Sequence, residues 1–128
     1  MKLLLDSHLL IWSALVTRPL PERAKRLLSD PENDLIFSSV SVWEITIKAG
    51  LGKPDFQIDP RVLRRNLLDS GYEELPLTSE HSIALLNLPP IHKDPFDRIL
   101  VAQAMVEGIT LLTVDATVAR YPGSIRKV

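Results

Sequence analysis

The amino-acid sequence predicts an α/β fold in which a mostly parallel central sheet of four to five strands carries helices on both faces. Short apolar runs that are too brief for helices recur along the chain, as in LLL at residues 3–5 and TLLTV at residues 110–114. Longer segments with apolar residues at helical spacing separate these runs. The alternation favours parallel strands, because a parallel pair needs a crossover connection that is usually a helix.

The composition predicts one globular domain, residues 1–128, since 45% of the residues are hydrophobic. The 15 basic and 16 acidic side chains leave a net charge of -1, which excludes a broad basic surface and allows only a local basic patch. No cysteine is present, so disulfides and thiolate metal sites are excluded. Asp6 and His8 interrupt the apolar start, and no run approaches the length of a membrane span. We therefore expect a cytoplasmic protein with no membrane partner.

The predicted strands are short, largely apolar runs that end at a polar residue or a turn. The first ends at Asp6 and the fourth at Asp115, and both have the composition of strands buried on two faces. An edge strand is expected after the turn at residues 121–123. The full set of predicted strands is Lys2–Leu5, 35–38, 73–77, 110–114 and this terminal segment.

The predicted helices are bounded by residues that start or stop helices. Ser41 is the expected N-cap of one helix, and Pro60 and Gly71 bound the next. Pro89 and Pro90 stop the following helix, and TRPLP at residues 17–21 separates the first two. The full set of predicted helices is 8–15, Glu22–Ser29, 42–49, 60–70, 79–88 and 95–107, with residues 53–59 irregular.

The most informative stretch is DPFDRILVAQAMVEGITLLTVD, residues 94–115. Asp94 is the expected N-cap of its helix, Pro95 suits the first helical position, and Gly108 is the expected stop. Asp97 then falls in the first turn of the helix, and Asp115 follows the next strand. In a parallel sheet these two places lie at the same edge.

Four acidic residues fall at the carboxyl-terminal edge of the predicted sheet, where such folds bind ligands. Asp6 and Asp115 follow strands, whereas Glu44 and Asp97 are expected in the first turns of helices. Each acid alone has a structural explanation, since Asp caps helices and Ser41 to Glu44 has capping-box spacing. Four acids at one edge are harder to explain as caps, because Ser, Thr or Asn would cap as well without charge.

Clustered carboxylates need a compensating charge. Two of them about 4 Å apart repel by about 4 kcal/mol at a surface-like dielectric. A hard divalent cation relieves this repulsion, and a set of oxygen donors suits Mg²⁺, with Mn²⁺ as a substitute. Zinc is disfavoured because its usual His or Cys ligands are missing from the set. The sequence therefore predicts a magnesium site at this edge.

Several stretches resemble PIN-domain ribonucleases, and especially the VapC-type toxins of bacterial type II toxin-antitoxin systems. The resemblance is carried by LLLDSHLLIW, SSVSVWEITIKAGLGK, LPPIHKDPFDRILVAQA and LLTVD, and it covers essentially the whole chain. It implies that Asp6, Glu44, Asp97 and Asp115 form the catalytic, metal-binding site of a Mg²⁺-dependent endoribonuclease. Ser7 stands where related sequences often have Thr, so its hydroxyl is expected to assist the site through a metal-bound water or Asp115.

The resemblance also implies a mechanism and partners. A metal-activated water would hydrolyse an RNA phosphodiester, with Asp6 and Asp97 as the nearest ligands. The expected partners are the RNA substrate, a VapB-type antitoxin whose tail crosses the groove, and a second copy of the chain in a homodimer, with a larger complex of dimer and antitoxin as a further expectation. The early helices around Trp12 are one candidate for the dimer surface.

Two rival functions are open at this point. A noncatalytic PIN-fold module could keep the fold only to bind RNA or a protein partner. A phosphotransfer enzyme with an aspartate nucleophile would have a second Asp two residues after the first, but His8 stands there. Metal-dependent RNA cleavage separates the nuclease from both.

The remaining candidates have weaker signals. Arg98 could contact substrate phosphate or pair with Asp94, and the two roles cannot be separated from the sequence. Trp12 and Trp43 lie in amphipathic patterns, which favours core or interface positions over base stacking. His8, His81 and His92 are scattered, and surface or structural roles are expected for them, with His81 on a helix surface. Lys48 and Lys53, around the turn after the third helix, are the better candidates for RNA contact.

Overall fold

The computed structural model describes residues 1–15 and 19–128 and contains a five-stranded sheet in which every neighbouring pair of strands is parallel. The strands are β1 (Lys2–Leu5), β2 (Asp34–Ser38), β3 (Glu73–Leu75), β4 (Thr110–Thr113) and β5 (Ile125–Lys127). The predicted fold class is confirmed, including the terminal edge strand. The predicted break at residues 17–21 falls partly outside the described residues.

The strand order is β3-β2-β1-β4-β5, which the sequence did not predict. The chain winds outward from β1 to β3 and then returns to place β4 on the other side of β1. The winding direction therefore changes between β1 and β4. In open α/β sheets, this switch point opens a crevice at the carboxyl ends of the strands, and ligands bind there.

The helices are α1 (Ser7–Ala14), α2 (Glu22–Ser29), α3 (Ser39–Gly50), α4 (Pro60–Asp69), α5 (Ser79–Ala84) and α6 (Pro95–Glu107), with single 3-10 turns at Leu85–Asn87 and Val118–Arg120. Within the described ranges, no helix has the length and apolar character needed to cross a membrane.

Side chains of the central strand alternate between two cores. Leu3 and Leu5 lie in a cluster with residues of α1 and α4, whereas Leu4 lies in the other cluster with residues of α6. All three leucines have no exposed surface. Because both faces of β1 are covered, an uninterrupted apolar run forms this strand, as is typical of parallel sheets.

The start of α3 differs from the prediction. The helix begins at Ser39, and the hydroxyl of Ser38 accepts the Val40 amide at 3.0 Å as the N-cap. Ser41, the predicted cap, is fully buried inside the helix. The run SSVS contains three serines that could cap the helix. Because Val40 and Ser41 are buried, the helix starts at the first possible position, with Ser38 as the cap. Glu44 therefore lies in the second turn, beyond the predicted capping box.

The prediction that His81 lies on a helix surface is wrong, because this side chain is fully buried. Its Nδ1 accepts the Thr78 amide at 3.0 Å, and its Nε2 lies 2.8 Å from Glu107 Oε2. Gln103 Nε2 lies 3.4 Å from the same Nδ1, and Gln103 Oε1 accepts the Ser38 hydroxyl at 2.6 Å. This buried polar network ties α5 and α6 to the end of β2, and it satisfies polar groups that would otherwise be costly.

Candidate metal centre

Asp6 directly follows β1 and is 2% exposed. Its Oδ1 accepts the Leu9 amide at 2.9 Å and so caps α1, while its Oδ2 accepts the Val114 amide at 3.1 Å. These bonds hold the carboxylate between the ends of β1 and β4, at the switch point of the sheet. A carboxylate has about four lone-pair sites, so Asp6 retains acceptor capacity for a further partner.

Glu44 projects from α3 and is 7% exposed. Its Oε2 lies 3.1 Å from Lys48 Nζ, one helical turn later. Its Oε1 is buried and has no hydrogen-bond partner among the described residues. A buried carboxylate oxygen without a partner carries a desolvation penalty, so this atom is suited to bind a cation.

Asp97 lies in the first turn of α6 and is 7% exposed. The helix start places it: Asp94 is the N-cap, as predicted, with its Oδ1 accepting the Phe96 amide at 2.8 Å, and Pro95 follows. Gly108 ends the helix in the left-handed conformation at φ 65°, also as predicted. Asp97 is thus presented to the site by an ordered helix end rather than by a loop.

Sequence reasoning missed His92 as a member of the site. Its Nε2 lies 3.4 Å from Asp97 Oδ2 and 3.3 Å from Asp115 Oδ2. Its Nδ1 accepts the Asp94 amide at 3.0 Å, which leaves the Nε2 position for the proton. His92 therefore points an N–H group at two carboxylates. Its only sequence signal is its place two residues before the cap of α6.

Three of these side chains form a compact group around the His92 N–H. Ligand atoms of His92, Asp97 and Asp115 all lie within 4.8 Å of one another. Asp115 is anchored by the Thr117 amide, which donates to its Oδ1 at 2.7 Å. Asp6 and Glu44 lie near enough to Asp97 for their charges to act on it. The structure thus places all four predicted acids around one end of the sheet.

The electrostatics of Asp97 reflect this crowding. Burial, together with the charges of Asp94, Glu44 and Asp6, raises the pKa of Asp97 from 3.8 to about 6, and the charge of His92 opposes them. Burial also raises the pKa of Asp6, against hydrogen bonds from Leu9, Thr113 and Val114. The ionised cluster is therefore destabilised in the free protein.

Asp115 behaves differently because it is more exposed. Burial acts to raise its pKa, but hydrogen bonds from the Thr117 amide, His92 and the Val118 amide outweigh it and hold the pKa of Asp115 below its usual value. This carboxylate is fully ionised at neutral pH and available to a cation.

The donor set fits a hard divalent cation. Carboxylate oxygens dominate it, and one of them, Glu44 Oε1, is buried without a partner. The single nitrogen, His92 Nε2, carries a proton in the arrangement described, so it acts as a donor rather than as a metal ligand. This chemistry suits Mg²⁺ or Mn²⁺ better than zinc.

The supporting residues make other contacts than expected. The Ser7 hydroxyl donates to Ser41 Oγ at 2.9 Å rather than to Asp115. Arg98 Nη1 donates to the Pro89 carbonyl at 3.1 Å and to the Tyr121 hydroxyl at 3.2 Å. Pairing with Asp94, one of the two roles considered for Arg98, does not form among the described residues. The Tyr121 hydroxyl accepts the His92 amide at 2.8 Å. Arg98 therefore supports the loop that holds His92.

Comparison with protein families places the chain. The model of the PIN domain matches residues 3–124. The chain belongs to the PIN-domain family. The acidic edge at the β1–β4 switch point is thus part of a PIN fold. A search of curated proteins finds no significant match.

Solved structures with this PIN fold include chains from toxin-antitoxin complexes. A chain of VapBC2 from Rickettsia felis, crystallised with a DNA fragment from its promoter, aligns with a TM-score of 0.75 at 16% identity, covering 100% of this chain and 99% of that one. A chain of DNA-bound VapBC from Salmonella typhimurium aligns with a TM-score of 0.68 at 18% identity, covering 99% of this chain and 98% of that one. A chain of FitAcB from Neisseria gonorrhoeae aligns with a TM-score of 0.64 at 18% identity, covering 96% of this chain and 95% of that one. At these identities the similarity establishes the fold.

Proposed function

We propose that this PIN-domain protein is a metal-dependent endoribonuclease that acts as the toxin of a toxin-antitoxin pair. The observation that carries the proposal is the convergence of Asp6, Glu44, Asp97 and Asp115 at the switch point of the sheet, with the pKa of Asp97 raised to about 6 by burial and by its acidic neighbours. Such a cluster is costly unless a cation compensates it.

The residues take complementary roles in RNA hydrolysis. Asp6 and Asp97 would hold Mg²⁺ or Mn²⁺ most closely, with Glu44 and Asp115 assisting directly or through water. Such an ion, when bound, would supply a water of lowered pKa and charge stabilisation for the phosphate. The chain itself excludes bulk water by burying Asp6, Glu44 and Asp97, and fixes the cluster through the cap bonds of Asp6 and Asp94.

Purified protein incubated with RNA tests this function. We expect internal cleavage with Mg²⁺ or Mn²⁺ and none with EDTA. RNA binding without cleavage under every metal condition would instead favour the noncatalytic PIN-fold module.

We infer that His92 stabilises the metal-free site by donating its Nε2–H to Asp115 and by lying 3.4 Å from Asp97 Oδ2. Replacing His92 by Ala is expected to lower the free energy of unfolding in EDTA by about 1–2 kcal/mol, since Asp115 loses a donor and Asp97 loses a polar neighbour. With saturating Mg²⁺ the difference from the wild type should shrink, because the cation takes over the compensation. Urea denaturation in both buffers measures this, and a difference that grows with Mg²⁺ would contradict it.

The toxin role is supported by the fold, which the chain shares with chains from the VapBC and FitAcB structures. The corresponding partner is a VapB-type antitoxin. An Arg or Lys from the antitoxin suits the acidic site, because it compensates the carboxylates in place of metal. Co-expression with an antitoxin encoded beside this chain should yield a complex without nuclease activity.

We also propose that the protein forms a homodimer. Trp12, in the region first considered for the interface, packs against the buried core of the chain. The exposed apolar residues Leu77, Ile83 and Leu86, which are 41%, 64% and 86% exposed, are a better surface for a second copy. A dimer that carries antitoxin on each copy would give the larger complex.

Replacing Leu86 by Glu should convert the dimer to a monomer, because a charge at the centre of an apolar interface loses its hydration without a partner. Analytical ultracentrifugation measures the mass. A wild-type monomer, or a variant that remains dimeric, would contradict this placement of the interface.

A further inference from the structure

A groove between α3 and the start of α6 lies beside the acidic cluster. Its volume is about 440 Å³. The residues that line it are Glu44, Ile47, Lys48, Lys93, Asp94, Pro95 and Phe96. Since Glu44 both lines the groove and belongs to the acidic cluster, the groove adjoins the cluster. We call it the α3–α6 groove.

Trp43 lies on the protein surface next to Phe96, which lines the groove. The rings of Trp43 and Phe96 meet edge to face, with centroids 5.0 Å apart and planes at 67°. Trp43 is 58% exposed and Ile47, one turn later on α3, is 45% exposed. The sequence pattern favoured a core or interface position for Trp43, and this exposure excludes the core. An exposed Trp beside Phe and Ile forms an apolar patch that needs a partner.

Two lysines give this surface a positive charge. Lys93 is exposed and forms no ion pair within the described ranges. Lys48 contacts Glu44 at 3.1 Å, which leaves donors of its ammonium group for another partner. On a chain with a net charge of -1, these lysines are a local basic feature next to an acidic site. Aromatic rings with flanking lysines are the combination that binds single-stranded nucleic acid.

We propose that the α3–α6 groove, with Trp43, Phe96, Lys48 and Lys93, is a nucleotide subsite that holds one unstacked base and its phosphate beside the acidic cluster. The occupant is single-stranded RNA, because a base in a duplex is stacked on its neighbours and cannot present its face to an aromatic side chain. The aromatic surface holds the base, and the lysines hold the phosphate. The inference rests on the proposed nuclease function and names the kind of segment that is cut.

Binding is measured in EDTA, so the result does not depend on cleavage. The sequence contains two tryptophans, and Trp12→Phe leaves Trp43 as the only reporter. A short single-stranded oligoribonucleotide is expected to quench Trp43 fluorescence, whereas the same strand in a duplex is not. In filter binding, which does not need Trp43 as a reporter, Trp43→Ala should weaken binding of the single strand by about tenfold, while Trp43→Phe retains most of the affinity because it keeps an aromatic face.

Matched controls separate stacking and charge from general surface effects. Leu51, the residue directly after α3, is 62% exposed and does not line the groove, so Leu51→Ala should leave the affinity unchanged. Lys93→Gln should weaken binding and lower the salt dependence by about one phosphate contact, whereas Lys25→Gln, a change at an exposed lysine of α2, should not.

Two results would overturn the subsite. One is unchanged affinity of Trp43→Ala together with unquenched fluorescence. The other is conversion of a dimer to a monomer by Trp43→Ala with RNA affinity retained, which would assign the surface to a second copy. Quenching by RNA in a protein that never cleaves it would support the subsite and refute the nuclease, so the two proposals fail separately.

Discussion

Replacing Asp97 by Asn is expected to abolish metal-dependent RNA cleavage, lowering the rate by more than about 10²-fold. Losing a residue that only supports a metal ligand typically lowers activity about 10- to 100-fold, and Asp97 is proposed as a direct ligand, so its loss should cost more. Asn keeps the size and one oxygen of the side chain but removes its charge. Asp97 is buried, and the charges of Asp6, Glu44, Asp94 and His92 act on its pKa. The measurement is the initial rate of RNA cleavage in Mg²⁺.

The matched control is Asp69→Asn, which changes an exposed carboxylate at the end of α4. This variant should cleave at the wild-type rate. Circular dichroism should show the same helix content for both variants. Wild-type activity in Asp97→Asn would contradict the assignment of the site. Loss of activity together with loss of helix content would show only that the variant unfolds. Asp6→Asn should also abolish activity, but Asp6 caps α1, so its effect mixes chemistry with stability.

The parts of the fold that the sequence predicted are those with local signals. The start and end of α6 follow from Asp94, Pro95 and Gly108, whose cap and left-handed conformations depend on neighbouring residues only. The order of the strands has no such signal, because it depends on which helix covers which face. Convergence of Asp6 and Asp115 could nevertheless be expected from parallel strands alone.

The start of α3 shows where local signals fail. Ser38, Ser39 and Ser41 can all cap a helix, and tertiary burial of Ser41 decides among them. Because the cap is Ser38 rather than Ser41, Glu44 lies less than one turn further from the helix start than predicted, and it is still on the buried side of α3. The candidate site was therefore robust to an error in the helix boundary.

The histidines show a second limit. His81 pairs with Glu107, and His92 pairs with Asp115, across 26 and 23 residues of sequence. Contacts of this kind depend on how helices pack, so the spacing of residues in the sequence does not predict them. The role of His92 beside the cluster thus required the structure, although its position before the cap of α6 was visible in the sequence.

The stability of the metal-free protein should fall as the pH rises from about 4 to about 7. Burial and the charges of Asp94, Glu44 and Asp6 raise the pKa of Asp97 from 3.8 to about 6. In this pH range the folded state therefore binds more protons than the unfolded state, so unfolding becomes easier as pH increases. Because the side chain of Asp97 is only 9% exposed, solvent screening is small, and the full loss is roughly 3 kcal/mol.

Other acids do not cancel this trend. Burial raises the pKa of Asp6 as well, so Asp6 acts in the same direction. The pKa of Asp115 is lowered by the Thr117 amide and His92 against burial, so its stabilising contribution is complete above about pH 4 and is lost only in stronger acid. Between pH 4 and 7 the raised pKa values therefore determine the sign.

Asp97→Asn tests this electrostatic account separately from catalysis. In EDTA at pH 7.5 the variant should be more stable than the wild type by up to about 3 kcal/mol, and the difference should vanish near pH 4, where Asp97 is protonated in the folded wild type. Urea denaturation across this pH range provides the measurement, with Asp69→Asn expected to follow the wild type. Added Mg²⁺ should narrow the difference, because it stabilises the ionised wild-type cluster. A difference that is independent of pH would mean that neither burial nor the neighbouring acids destabilise the ionised form of Asp97 in the folded protein, and the case for a cation at this edge would lose its physical basis.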